Sequence, residues 1–327
     1  MKICFLVFAH HQPIILRRLL RNIAWNNADV VIHIDRRTDI RIFGAIARSN
    51  IHVMPKRRRI YWAGWSQIFG TIDGLEYALK VSDADYFTFL AGTDFPLRNR
   101  AAISSFLQEK WPANFLNYYP LVPGIWGYGL IKTYRRNDLK GRFVNPRTPL
   151  DDPALAAWRR IGARAVTGLE GFLNSHFGPR DSSFIKLYHG SSRWCLNRQT
   201  VEYVVSYFRS PESRMLRRFL KTCANADEIF IQTTVLNSPF RDQCIEFDQM
   251  EADEIFARSR PPLPDEKRVY MHYIDWSTER ENPAIVVDHD FPALKESGKF
   301  FACKFLDDRS LPLIDRIERE LIGDEEN

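Results

Sequence analysis

The apolar positions of this chain fall either in short unbroken runs or in stripes at helical spacing. Residues 2–9 form a run, Pro13 stands where a helix can begin, and Leu16, Leu19, Leu20 and Ile23 then share one helical face. Residues 30–35 form a second run that ends in the carboxylate of Asp35. A third, short run at 51–54 follows, and Ser66 is an N-cap type ahead of the stripe Ile68, Ile72, Leu75 and Leu79. Residues 86–91 read as a strand buried on both faces, with Gly92-Thr-Asp-Phe-Pro96 turning away from its end. Further on, 153–174 reads as a helix or helix pair weakened by Gly162 and Gly168. The segment 188–198 is a turn leading into a strand, and Val201, Val204, Val205 and Phe208 lie on the helix after it. In 225–237, Asp227 is an N-cap type and Ile229, Thr233 and Leu236 recur at helical spacing. Strands at 269–276 and 299–305 precede a last charged helix that packs through Leu313, Ile317 and Leu321, and the Pro-rich 251–267 reads as a surface connection.

Strand, helix and strand in that order predict an α/β protein with a doubly wound, largely parallel twisted sheet flanked by helices. Ligands of such sheets bind beyond the carboxyl ends of the strands, where His10, His11 and Asp35 to Asp39 fall. Asp94 belongs there too, and a carboxylate at the end of a central strand is costly to desolvate unless something uses it. No linker forces a cut, so 1–327 reads as one domain with an irregular loop region around 111–185.

Composition narrows the class. With 45% apolar and 13% aromatic residues, 327 residues can bury a large core. A formal charge of +6 and a pI near 9.0 favour anionic partners such as nucleotide phosphates or lipid head groups. No recognition-helix or RNP-like pattern accompanies the charge, which speaks against nucleic acid. The five cysteines are scattered and form no CxxC pair, as expected of buried or free thiols in a reducing compartment. The first apolar run ends at His10-His11 without a cleavage site, and no run has the length of a membrane span. A cytoplasmic protein is expected, with peripheral contact to the inner face of a membrane through basic residues.

The candidate chemistry is acidic. Asp227 and Glu228 open the helix of 225–237, where Glu228 is either a general base or ordinary helix-start chemistry. Two Asp-x-Asp pairs, Asp83/Asp85 and Asp288/Asp290, would suit a hard cation, but the first precedes its strand and the second lies in a polar turn. No metal site is therefore expected, and His10, His11, His33 and His272 show no ligand spacing. Walker-type, GxGxxG and GxSxG patterns are absent. The run 56–59 reads as a solvated basic loop. In 111–140, Tyr118, Tyr119, Trp126, Tyr128 and Tyr134 suit either stacking on sugar rings or packing beneath a long loop. Arg280 and Lys304 are late cations able to meet a diphosphate, or simply solvated charges.

Seven of these segments, in order, resemble the core-2/I-branching β-1,6-N-acetylglucosaminyltransferase and peptide O-xylosyltransferase family, in particular its compact bacterial members. They are Ala9-His-His-Gln-Pro13, His33-Ile-Asp35, Tyr61-Trp-Ala-Gly-Trp-Ser66, Leu90-Ala-Gly-Thr-Asp-Phe-Pro-Leu97, His189-Gly-Ser-Ser-Arg-Trp194, Asp227-Glu-Ile-Phe-Ile-Gln-Thr233 and Phe300-Phe-Ala-Cys-Lys-Phe305. The resemblance implies a GT-A-type fold and an inverting, metal-independent transfer from a UDP-sugar, N-acetylglucosamine or xylose, to a hydroxyl of a glycan acceptor. It implies Glu228 as general base, although Ala226 replaces the family's proline. Lys304, with Arg280 in a loose alignment, would meet the donor diphosphate, and His10, Asp35, Trp65 and Asp94 would line the donor side. Trp126, Tyr128, Ser192, Arg193 and Trp194 are expected on the acceptor side. Animal members carry a membrane anchor and disulfides; without these, the expectation is a cytoplasmic enzyme building a bacterial surface polysaccharide or lipopolysaccharide, its acceptor lipid-linked. Two other readings are a non-catalytic nucleotide-sugar or glycan-binding module and a metal-dependent phospho- or nucleotidyltransferase.

Overall fold

The computed structural model describes residues 1–125, 127–143, 153–245, 271–275, 280 and 283–323, with side chains of 153–155 set aside. Trp126, the connection 251–267 and both ends of the 269–276 run thus lie outside the described residues.

The strands are β1 (Ile3–Ala9), β2 (Ala28–Ile34), β3 (Ile51–Val53), β4 (Tyr86–Ala91), β5 (Phe95–Pro96), β6 (Phe115–Leu116), β7 (Tyr119–Pro120), β8 (Tyr188–His189), β9 (Trp194–Asn197), β10 (His272–Ile274) and β11 (Phe301–Cys303). The α-helices are α1 (Pro13–Ile23), α2 (Trp65–Val81), α3 (Arg100–Glu109), α4 (Tyr128–Lys132), α5 (Asn137–Lys140), α6 (Pro153–Phe177), α7 (Arg198–Arg209), α8 (Arg214–Leu220), α9 (Phe230–Leu236), α10 (Phe291–Glu296) and α11 (Leu311–Ile317). The central sheet has the order β3-β2-β1-β4-β9-β6. Its first four strands are parallel, and β9 runs antiparallel to both β4 and β6.

Strand periodicity explains the two cores, because alternate residues of β1 point to opposite faces. Ile3, Phe5 and Val7 enter a cluster with α1, α3 and the C-terminal helices, whereas Cys4 and Leu6 enter one with α2, α7 and α9. The second cluster has an aromatic centre in which Trp65, Phe208 and Phe230 lie 5.5–6.4 Å apart between ring centroids. Such pairs add about 0.5–1.5 kcal/mol each beyond the area they bury. All five cysteines are buried and free. Among the described residues no helix is long and apolar enough to cross a membrane.

Two local expectations change, and one open alternative is decided. Helix α2 starts at Trp65 with Gly64 as its N-cap; Ser66 lies inside the first turn, where its N–H and hydroxyl both donate to Asp138. Residues 153–177 are one helix, not two. The basic run 56–59 is largely structural: Arg57 donates to the carbonyls of Ile34 and Asp35, and Lys56 and Arg58 both pair with Asp73. Asp83 and Asp85 lie at the amino end of β4, where they accept from Lys2.

Candidate active site

Parallel pairing sets the frame. Ala9 pairs with Ile34, Phe8 pairs with Ala91, and the N–H of Asp35 donates to the Ala9 carbonyl at 2.9 Å. His10, Asp35 and Asp94 therefore emerge from one sheet edge. Asp35 accepts from Arg37 Nε and Nη2 at 2.9 and 2.8 Å and from the N–H groups of Arg37 and Ile60. Burial opposes its charge, yet these donors prevail and hold its carboxyl down at about 2. Thr38 Oγ1 donates to the His10 carbonyl, which brings His10, stacked on His11 at 3.8 Å, beside the Asp35 turn. His33, by contrast, is structural: its Nε2 accepts from the Arg58 N–H, and burial pushes its pKa down to about 4.

The reversed direction of β9 delivers a second set. Because Thr88 pairs with Cys195, the residues that precede β9 reach the edge that the residues following β4 also reach. Arg193 there makes a bidentate pair with Asp94, at 2.8 and 3.0 Å, and His272 Nε2 stands 3.6 Å from the same carboxylate. Asp94 is fully buried. Burial opposes ionisation, and Arg193 and His272 outweigh it, keeping the Asp94 carboxyl below its ordinary range.

A third element closes the site. The 3-10 turn Ala226–Glu228 is tied to the turn before β9 by a bond from the Gly190 N–H to the Glu228 carbonyl at 2.8 Å and by one from Gln232 Nε2 to the Ser191 carbonyl. Gly190 permits this because a Cβ there would stand 1.8 Å from the Asn117 carbonyl oxygen. Asn225 and Ala63 both have φ near +50°, and the Asn225 N–H donates to the Ala63 carbonyl. Two such residues meeting beside a candidate site are the kind of backbone strain that accompanies function.

Glu228 keeps an exposed carboxylate edge, with a side-chain accessibility of 25%. Its Oε2 accepts from Asn225 Nδ2 at 2.9 Å and lies 3.3 Å from Nε2 of the buried His189, whose Nδ1 is 2.9 Å from the Tyr119 hydroxyl. Pairing of β7 with β8 puts Tyr119 directly opposite His189. Asp227 does not cap the turn, since no side-chain cap bond forms there. Its Oδ1 is inaccessible and has no hydrogen-bond partner among the described residues. Burial first and the Glu228 charge second push it up to about 7.

The cations are placed by the C-terminal segment. Phe305 N–H donates to the Thr93 carbonyl, and β11 runs antiparallel to β5, so Lys304 lies beside the turn that carries Asp94. Lys304 is half-buried, and its ammonium makes no hydrogen bond or ion pair among the described residues. Arg280 lies next to this segment but pairs with Asp275 at 3.1 Å and Asp290 at 2.8 Å. Trp65 and Trp194 are buried, 5% and 4% exposed, and Trp194 lines a small cavity together with Ser192 and Asp227. Ser192, hydrogen-bonded to Arg193, stands at the edge, and Tyr128 lies on α4 under the Lys132 ammonium.

The sheet edge thus carries a partly exposed carboxylate, a lysine unpaired among the described residues, and buried ion pairs. A sequence model of the Core-2/I-Branching enzyme family matches residues 3–120. Over that stretch, the chain is similar to the core-2/I-branching family. A xylosyltransferase of Ciona intestinalis is 24% identical over 331 residues, covering 99% of this chain and 34% of that protein. Xylosyltransferase 1 of Homo sapiens and of Pan troglodytes are each 24% identical over 298 residues, covering 89% of this chain and 27% of theirs. The chain thus spans about a third or less of the curated relatives it matches. The family match covers β1 to β7, and so includes His10, Asp35, Asp94 and Tyr119. Glu228 and Lys304 lie beyond it, within the longer alignments.

Reasoning from sequence missed His189 and Tyr119 as partners of Glu228. Pairing between strands of two residues each, about seventy positions apart, leaves no periodic signal. It also missed Trp62, 87% exposed beside the Ala63 turn. An exposed tryptophan next to a glycine turn was the available clue.

Proposed function

We propose that this chain is an inverting glycosyltransferase that moves a sugar from a UDP-sugar to a hydroxyl of a glycan acceptor, with Glu228 as general base. The observation that carries the reading is the carboxylate of Glu228: partly exposed, hydrogen-bonded by Asn225, 3.3 Å from His189 Nε2, and joined to the strand-end cluster through Gly190. The xylosyltransferase relatives support xylose as the donor sugar, and N-acetylglucosamine is the alternative that the sequence resemblance implies. The process it would serve is assembly of a surface polysaccharide or lipopolysaccharide.

In the proposed reaction a Glu228 oxygen takes the proton of the acceptor hydroxyl while that oxygen bonds to the anomeric carbon. The bond from the same carbon to the diphosphate breaks on the opposite face, and its electron pair leaves with UDP. An α-linked donor thereby gives a β-linked product. Base catalysis of this kind contributes about 10²–10⁴-fold. His189 orients the carboxylate, and Tyr119 fixes the imidazole in turn. Lys304 meets the charge that grows on the diphosphate. Arg280 already serves two carboxylates, so it would assist only by exchanging partners. Metal independence is part of the proposal, supported by the guanidinium pairing of Asp35 and Asp94, which makes both poor ligands for a cation. Asp35 and His10 would line the nucleoside side of the donor, and Trp62 offers a ring to an acceptor sugar.

The test is UDP release across a set of UDP-sugars, with and without EDTA, comparing wild type with Glu228→Gln. The expected result is EDTA-resistant release that the variant loses by at least about a hundredfold. Near-normal release by Glu228→Gln would remove the base assignment, and loss of activity in EDTA would remove metal independence.

A further inference from the structure

Helix α6 (Pro153–Phe177) is about 37 Å long at 1.5 Å per residue and does not behave like the other surface helices. Its packed side is narrow: Val166 is 4% and Glu170 2% exposed, and Asn174 accepts from the Tyr134 N–H at 2.7 Å. Another side carries Trp158, Ile161, Ala165, Leu169, Phe172 and His176, spaced by three or four and thus on one stripe. This stripe faces solvent. Trp158 is 71% exposed, Ile161 57%, Leu169 40% and Phe172 59%, and the next residue beyond the stripe, Phe177, is 60% exposed. His176 stacks on Phe172 at 5.4 Å, so the aromatic end forms one surface. Large apolar side chains concentrated on one exposed face mark an interaction site.

The charge beside the stripe identifies what fits it. Arg164 is exposed at the border of the stripe, next to Ile161 and Phe172, Arg160 is exposed one turn earlier and further round the helix, and Arg135, Arg136 and Arg142 are exposed on the connected loop. Among the described residues of 128–177 the carboxylates are Asp138 and Glu170, and neither balances these cations outward. Asp138 accepts from Ser66, and the buried Glu170 accepts from the Arg136 N–H and faces Arg135 at 3.6 Å. A second copy of the chain would set this stripe against its own arginines. An aromatic and aliphatic stripe flanked by arginines instead matches an anionic lipid interface, where rings enter the head-group boundary and cations meet phosphates.

We propose that α6 seats this chain on an anionic lipid surface, with Trp158, Ile161, Leu169 and Phe172 entering the interface and Arg160 and Arg164 against the head groups. The inference does not depend on the transfer reaction, although the two meet in space. Asn137 on α5, which packs on α6, donates to the Ala63 carbonyl at 2.8 Å, and the same carbonyl accepts from the Asn225 N–H beside Glu228. A chain docked through α6 would therefore hold the Glu228 turn two hydrogen-bonded steps from the surface.

The experiment is co-sedimentation with phosphatidylcholine vesicles containing or lacking phosphatidylglycerol, at low and physiological salt, alongside light scattering to follow the oligomeric state. Wild type should pellet with the anionic vesicles and remain in solution with the neutral ones. Arg160→Gln/Arg164→Gln should partition roughly thirtyfold less, from two charges at an anionic leaflet. Phe172→Asp should lose at least about tenfold, from one ring withdrawn from the interface. Far-UV circular dichroism checks folding, and should Phe172→Asp unfold, the double arginine variant carries the test because both side chains are exposed. Failure of wild type to bind anionic vesicles would overturn the proposal, as would variants that bind like wild type. A dimer dissolved by Phe172→Asp, without vesicle binding, would assign the stripe to a second copy instead.

Discussion

Replacing Asp227 by asparagine isolates the cost of a buried carboxyl whose Oδ1 has no partner among the described residues. Burial and the adjacent Glu228 place its folded-state pKa at about 7, against an ordinary value of 3.8. Between those two values the folded chain keeps a proton that the unfolded chain has released. Stability from this group therefore falls as pH rises from about 4 to about 7 and is level beyond that. A tenfold difference in proton affinity is worth about 1.4 kcal/mol, which bounds the effect near 4 kcal/mol for a fully enclosed group. Asp227 as a whole is only half-buried, so solvent screening reduces the expected size to about 2 kcal/mol. Asparagine does not titrate. Urea unfolding of both proteins at about pH 5 and about pH 8 should show Asp227→Asn gaining about 1 kcal/mol over wild type on going to the higher pH, since pH 5 already lies inside the span. A gap between the two proteins that is equal at both pH values would refute the reasoning. Glu228→Gln in the same assay should shrink the wild-type loss, because the Glu228 charge is the second cause of the shift.

Arg193→Met would strand the buried Asp94 carboxylate and should cost about 3–5 kcal/mol of unfolding free energy, much of it recovered when Asp94→Asn is added. Arg193→Lys should recover little, since an ammonium cannot reproduce the two parallel bonds. His189→Gln should lower kcat by roughly ten- to a hundredfold, the worth of the hydrogen bond that its 3.3 Å approach to Glu228 would become in the reacting complex, with KM nearly unchanged; a purely structural role would instead show in the unfolding curve. Lys304→Ala should weaken UDP-sugar binding, read by calorimetry, by a similar factor and flatten its salt dependence.

What the sequence made legible followed from periodicity. The runs at 2–9, 30–35 and 86–91 gave β1, β2 and β4 nearly residue for residue, because a strand covered on both faces must be continuously apolar. Helix α1 was equally readable, and Ile15 joins the four residues named for its buried face. The antiparallel β9 was harder, since strand direction depends on where the connection runs and not on the strand's own residues. That direction carries Arg193 to Asp94, so a residue read as acceptor-binding lies instead in a buried ion pair. Asp227 misled for a related reason. Its position before α9 promises a cap, but all seven helical residues of α9 are buried, and the acidic turn is drawn inward with them. The basic run 56–59 showed only charge, and its use as a brace over the end of β2 and α2 depends on Asp73, which lies inside a helix stripe.

The bonds from the Ile14 and Ile15 N–H groups to Asp307 join positions 293 and 292 residues apart. They supply acceptors for the first turn of α1, three residues after the segment that carries Lys304. In a chain made from its amino end, β1 to β4 can pair while this acceptor is still unsynthesised. The start of α1 then waits, its amide groups in water, until residues 301–307 arrive. Under the proposed function, the arrival that finishes the oldest helix is the one that delivers the diphosphate cation, so a nascent chain would hold a nucleotide sugar only once its sheet has been closed from the far end.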